Sequence, residues 1–159
     1  TNKSFHYDGT AWTAGGDLNT AIRWSGGGAT QTAGISYGGF TGTNWPVQTE
    51  EYNGSSWATA GDMSQARQTY SGGGGGNTQT DTLAAGGYNA PQSPNIYNNT
   101  ELYNGTSWSA APNLGTARGY GTGGGTASSG ILAGSVISTV TAATEEFTGG
   151  ATTRSVDVS

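Results

Sequence analysis

Tyr7-Asp-Gly-Thr-Ala-Trp12 returns as Tyr52-Asn-Gly-Ser-Ser-Trp57 and again as Tyr103-Asn-Gly-Thr-Ser-Trp108. The tyrosines stand 45 and 51 residues apart, and a degenerate fourth copy begins at Glu145-Glu-Phe147, 44 residues on. Other landmarks keep the register. Arg23, Arg67 and Arg118 follow the tryptophans by 11, 10 and 10 positions. Glycine runs follow at 26–28, 72–76 and 123–125. Then come Tyr37-Gly-Gly-Phe40, Ala85-Gly-Gly-Tyr88 and the weaker Leu132-Ala-Gly134, and after them Thr49-Glu-Glu-Tyr52, Thr100-Glu-Leu-Tyr103 and Thr144-Glu-Glu-Phe147. Landmarks in one fixed order mean copies of a single supersecondary unit that cannot bury its apolar face alone.

Each unit reads as four short strands. Asp8-Gly9, Asn53-Gly54 and Asn104-Gly105 each separate a ring-bearing run from a Trp-bearing run. Asn-Gly and Asp-Gly are the favoured two-residue hairpin turns, with φ > 0 at both central positions. Residues 49–52 and 56–59 should therefore pair antiparallel, with the glycine run at 69–75 and the stretch 82–87 supplying the other two strands. Glycine normally weakens a strand. Recurring at one place in each unit, it points to strands crowded near a common axis.

Composition agrees with a chain short of aliphatic side chains. Leu, Ile, Val and Phe number 18 of 159 residues, about 11% and below the roughly 20% at which disorder is suspected. Charged residues, however, are only 9%, and 5 Trp and 8 Tyr remain to build a core. With no Cys and one His there are no thiolate ligands or nucleophiles and little scope for His chemistry. Five basic residues and a pI near 4.5 argue against a nucleic-acid groove. No apolar run approaches the roughly 18 residues of a membrane span. No cofactor or metal is expected.

Four strands per unit at this period match a propeller blade, and the chain resembles the kelch family. The double glycine, the Glu-x-Tyr pair, the later Trp and the Arg opening the next unit all stand in kelch order. The wording of the units is similar to the Gly/Thr-rich kelch-like arrays of bacteriophage structural proteins. The expected fold is all-β, a kelch-like β-propeller segment of three to four four-stranded antiparallel blades, with units at about 1–22 (partial), 23–66, 67–117 and 118–159. More blades upstream, or further copies of the chain, would complete the ring. The resemblance implies that strands run from the axis outward: glycine run, double-glycine strand, Glu-Tyr strand, Trp strand. The loops at 41–48, 89–99 and 135–143 should then share a face with those at 17–22, 62–66 and 113–117.

Repeated residues are expected to be architectural. These are Tyr7, Trp12, Arg23, Glu51, Tyr52, Trp57, Arg67, Glu101, Tyr103, Trp108, Arg118 and Phe147. The tryptophans should pack between blades, with Trp57 and Trp108 buried there. Each arginine should hold a carboxylate or loop carbonyls in a bidentate grip. Glu50, Glu51, Glu101, Glu145 and Glu146 include no pair that the repeat leaves free for glycosidase-type acid–base work. Off-register residues carry more information, because the scaffold does not require them. Trp24, Trp45, Pro46, Pro91, Pro94 and Tyr97 are the ligand-binding candidates, mostly in the loops that vary most.

The expected function is non-enzymatic: a virion structural or host-attachment component, in a virion or extracellular. Its expected partners are its own copies, neighbouring virion proteins and a host surface glycan. The alternatives are a glycan-active hydrolase or lyase on a propeller scaffold and an intracellular kelch-type interaction scaffold.

Overall fold

Every Tyr-to-Trp phrase closes a hairpin in the computed structural model, which describes residues 1–69, 79–90, 95–136, 140–149 and 153–156. The first hairpin pairs β1 (Phe5–Tyr7) with β2 (Trp12–Ala14) and forms a two-stranded sheet. A four-stranded sheet follows: β3 (Gly26–Thr30), β4 (Ala33–Tyr37), β5 (Thr49–Tyr52) and β6 (Trp57–Thr59), side by side in chain order. The third sheet holds β7 (Thr82–Ala85), β8 (Thr100–Tyr103) and β9 (Trp108–Ala111). The fourth holds β10 (Thr122–Gly125), β11 (Gly130–Val136), β12 (Val140–Phe147) and β13 (Thr153–Val156). All neighbouring strands are antiparallel. The described residues contain no helix. The glycine run at 72–76, expected to form the inner strand of the third sheet, lies outside the described residues.

The sheets superpose position by position. Tyr37 pairs with Thr49, Ala85 with Thr100 and Ala133 with Thr144. Ile35, Leu83 and Ile131 are therefore equivalent, as are Glu51, Leu102 and Glu146.

The hairpin turns differ from the two-residue type expected. Tyr52 pairs with Trp57, so four residues form the loop. Among the described residues only Trp24 and Tyr120 are non-glycines with positive φ, so Asn53 is not left-handed while Gly54 is, at φ 97°. The Asn53 side chain explains the longer loop. Its Oδ1 accepts from the backbone N–H groups of Ser55 and Ser56, both at 3.0 Å. Asn104 and Asp8 make the same bonds in their loops. The side chain thus replaces a backbone turn bond.

Sheets pack face to face through the outer hairpin. Tyr37 of the second sheet meets the Trp108 ring of the third at 5.0 Å. The Trp108 indole N–H donates to Thr49 Oγ1 at 2.9 Å, and the Tyr103 hydroxyl donates to Glu51 Oε1 at 2.8 Å. Ile35, Tyr37, Met63, Ala84 and Tyr103 form the buried cluster between these sheets, with Trp108 packed on its edge. A smaller cluster of Ala85, Leu114 and Leu132 joins the third sheet to the fourth. Burial of Tyr37 pushes its phenol well above the ordinary value, with the Arg67 charge pulling the other way.

Two expectations about the tryptophans need correction. Trp57 and Trp108 are half-buried, not buried, because the outermost strand leaves one side of each ring to solvent. Trp12 is exposed, because among the described residues no neighbouring sheet covers its ring.

Candidate functional site

The structure first separates the residues that hold the framework from those that are free for chemistry. Glu101 accepts from the Ser64 backbone N–H and from Arg67 Nη2, both at 2.8 Å. Arg67 Nη1 donates to the Asn99 carbonyl at 3.0 Å. The grip is split between a carboxylate and a loop carbonyl; it is not bidentate on the carboxylate. Glu145 accepts likewise from the Gly115 N–H and Arg118 Nε, at 2.7 and 2.9 Å. Arg118 Nη1 reaches the Ala143 carbonyl at 3.1 Å. These buried pairs tie the variable loops to the loops at 62–66 and 113–117. Backbone bonds from Met63 to Val47 and from Leu114 to Asn98 do the same.

Arg23 does not belong to this set. Ile22 packs where a Cβ on Gly39 would lie, as Arg67 does at Gly87. Arg23 bridges to Phe40 as Gln68 bridges to Tyr88. Ile22 follows Trp12 by 10 positions, as Arg67 follows Trp57, so Ile22 takes the arginine's place and Arg23 stands where the later units carry Gln68 and Gly119. Glu50, the equivalent carboxylate, accepts instead from the backbone N–H groups of Asn19 and Thr20 and from Asn19 Nδ2, at 2.8, 3.0 and 2.9 Å.

Arg23 is delivered to the surface, where it makes no ion pair among the described residues. Its guanidinium carbon lies 4.3 Å from the Trp24 ring centre and 5.0 Å from that of Phe40. Trp24 stacks on Phe40 at 5.9 Å, and Phe40 meets Trp45 at 4.5 Å. Trp24 has φ 58°, a left-handed backbone that bulky side chains avoid. Tyr120 stands at the equivalent position with φ 57° and pairs with Tyr88, the equivalent of Phe40, at 5.4 Å. Both Trp24 and Tyr120 are 42% exposed. Beside the first cluster lies a cleft of about 210 Å³, lined by Ala21, Ile22, Arg23, Phe40, Thr41 and Gly42 among others.

The six candidates divide. Trp24 and Trp45 come together with Arg23 and Phe40, and the half-buried Pro46 follows Trp45. Pro91 and Pro94 lie outside the described residues. Tyr97 is no surface ring: only 8% exposed, it runs beneath the double glycine, with its N–H on the Gly87 carbonyl at 3.0 Å. Burial raises its phenol pKa. Arg23, Phe40, Tyr88 and Tyr120 were not among the ligand candidates. The signal for Arg23 was its spacing of 11 where the other units have 10.

No family model matches the chain, and no curated protein sequence does. Among solved structures the chain is similar to one described as "Structure of YjhT", with a TM-score of 0.72 at 12% identity. The match covers 92% of this chain and 49% of that one, so the chain spans about half the length of this neighbour. The fold is β-propeller-like. At this identity the likeness concerns the fold alone. Trp24 and Tyr120 precede β3 and β10, the first strands of their sheets, and Phe40 and Tyr88 follow β4 and β7.

Proposed function

We propose that this chain is a kelch-like propeller segment with a non-enzymatic binding role, serving as a virion structural or host-attachment component. Its ligand is a host surface glycan, held at the cluster of Arg23, Trp24, Phe40 and Trp45. The observation that carries this reading is the left-handed Trp24. A strained, exposed ring persists only where the surroundings impose it, and such outliers gather at ligand sites. Flat aromatic faces suit the apolar face of a sugar ring and cost little entropy to order. The Arg23 guanidinium, stacked and without a carboxylate among the described residues, offers forked donors to sugar oxygens. Other copies of the chain and neighbouring virion proteins are the proposed protein partners.

Trp24→Gly and Trp45→Ala test the reading, with adsorption to host cells and binding to a glycan array as readouts. Trp24→Gly should fold with little loss of stability, since glycine accepts the left-handed backbone freely, and should lose binding. Binding that is unchanged in both folded variants would overturn the assignment.

A further inference from the structure

Each junction between consecutive sheets has the same two halves. The earlier sheet offers a receiving face, and the next sheet inserts the ring pair of its outer hairpin. At the junction of the second and third sheets the receiving face is Ile35, Thr49 and Glu51, and the inserted pair is Tyr103 and Trp108. Ile35 is 3% exposed as a result, and its equivalent Leu83, covered by the fourth sheet, is 5% exposed.

One half of such a junction stands open on the first sheet and the other half on the last. On β1–β2 the Tyr7 and Trp12 rings sit 5.0 Å apart at 34°, the geometry of Tyr52–Trp57 (5.0 Å, 37°) and Tyr103–Trp108 (5.1 Å, 38°). Here they face solvent, at 43% and 68% exposure, with Phe5 beside them. On β11–β12, Ile131, Thr144 and Glu146 occupy the positions of Ile35, Thr49 and Glu51. Ile131 is 48% exposed, and a cleft of about 470 Å³ lies along it and Glu146.

The paired positions also match in chemistry. Where the receiving residue is Glu51, the incoming ring is Tyr103 and carries a hydroxyl to donate. Where it is His6, the incoming ring is Tyr52, at 5.4 Å. Where it is Leu102, the incoming ring is Phe147, which has no hydroxyl. The open receiver is Glu146 and the open ring is Tyr7, a carboxylate and a donor. Phe5 stands where the later sheets carry the buried glutamate, so this junction is more apolar than its counterparts.

We propose that the chain binds a second copy of itself head to tail, with β1–β2 of one copy against β11–β12 of the other. The Tyr7 hydroxyl, which now bonds the Gly9 carbonyl at 2.8 Å, turns to donate to Glu146. The Trp12 indole donates to Thr144, and its ring covers Ile131. The contact is heterologous, with different surfaces on the two partners. The chain matches 49% of the length of YjhT, so a propeller-like fold of that size has room for a second copy. The proposal rests on the packing of the sheets and is independent of the glycan site.

The chain has no Cys, which makes the junction easy to mark. Tyr7→Cys and Glu146→Cys chains are prepared separately and treated with a short bismaleimide, alone and mixed. A head-to-tail contact gives a cross-linked dimer in the mixture and little in either variant alone. Sedimentation of the unmodified chain should give at least twice the monomer mass of 16.0 kDa. Glu146→Leu should weaken association about tenfold, by stranding the Tyr7 donor, and adding Tyr7→Phe should restore it. A monomer at high concentration would overturn the proposal. So would Tyr7→Cys cross-linking as well alone as in the mixture. Glycan binding by the monomeric variants separates this test from that of the ligand site.

Discussion

Arg67 and Glu101 meet at 2.8 Å with neither side chain reaching solvent, at 0% and 3% side-chain exposure. The same framework position in the first unit holds Ile22, whose carboxylate neighbour Glu50 is satisfied by N–H groups of Asn19 and Thr20. Burial lowers the Arg67 pKa, and Glu101 offsets part of that shift. Arg67→Ala should cost about 3–5 kcal/mol, because it leaves Glu101 buried and uncompensated. Arg23→Ala, at an exposed site, should cost under about 1 kcal/mol. Urea denaturation of the two variants separates the two roles of a residue type that the repeat makes look alike.

The tryptophans should not be equivalent either. Trp108 donates to Thr49 and touches both Tyr37 and Tyr103. The Trp57 indole N–H is buried and finds no partner among the described residues. Trp108→Phe should therefore lose a hydrogen bond worth about 0.5–1.5 kcal/mol, while Trp57→Phe should lose less and relieve an unmet donor. Trp108→Ala should cost about 3 kcal/mol. Equal losses for the two Phe variants in chemical denaturation would count against this difference.

The first hairpin should respond to acid. Asp8 is held at a pKa of about 2, first by the Thr10 hydroxyl and then by the backbone N–H groups of Ala11 and Thr10. A depressed carboxylate contributes its stability above its unfolded value near 4 and loses it as pH falls through the folded one. The β1–β2 turn should thus hold at neutral pH and loosen between about pH 4 and pH 2. NMR titration of the Asp8 carboxyl should give that midpoint. Asp8→Asn should remove the pH dependence and keep the turn, as Asn53 and Asn104 already do.

Gly38 has φ 60°, and a Cβ there would meet the Arg67 carbonyl oxygen at 2.5 Å. Gly54 has φ 97°, and its Cβ would find only ordinary contact with Thr32 at 3.5 Å. Ala at either position strains the backbone by about 1–3 kcal/mol. Only Gly38→Ala also pushes the sheets apart, so its thermal midpoint should fall further.

The repeat made much of the framework legible. The order of strands within a sheet follows from landmarks that recur, and so does the pairing of glutamate with the preceding arginine in two of three units. What stayed hidden has physical causes. Trp12, Trp57 and Trp108 sit in near-identical phrases, and their burial depends on whether another sheet lies against them. Tyr97 sits in a loop that looks like surface, but backbone bonds to Gly87 and Arg118 draw that loop under the double glycine. A left-handed tryptophan leaves no mark in composition, since aromatic residues avoid that conformation. The one legible trace of the candidate site was an arginine one position off the spacing of its counterparts.

That displaced arginine shows how a repeating array acquires chemistry without enlarging itself. Two units keep an arginine inside, on the buried carboxylate. In the first unit Ile22 fills that place, and the cation stands at the next position, where the backbone hands it to solvent beside rings that the neighbouring strand supplies. Asn19, whose backbone N–H and side-chain amide both reach Glu50, takes over the duty of the missing cation. New surface function in such a chain can therefore arise by exchanging what two adjacent positions carry, with every strand left in register. The places to search in related arrays are the units whose framework position has lost its charge.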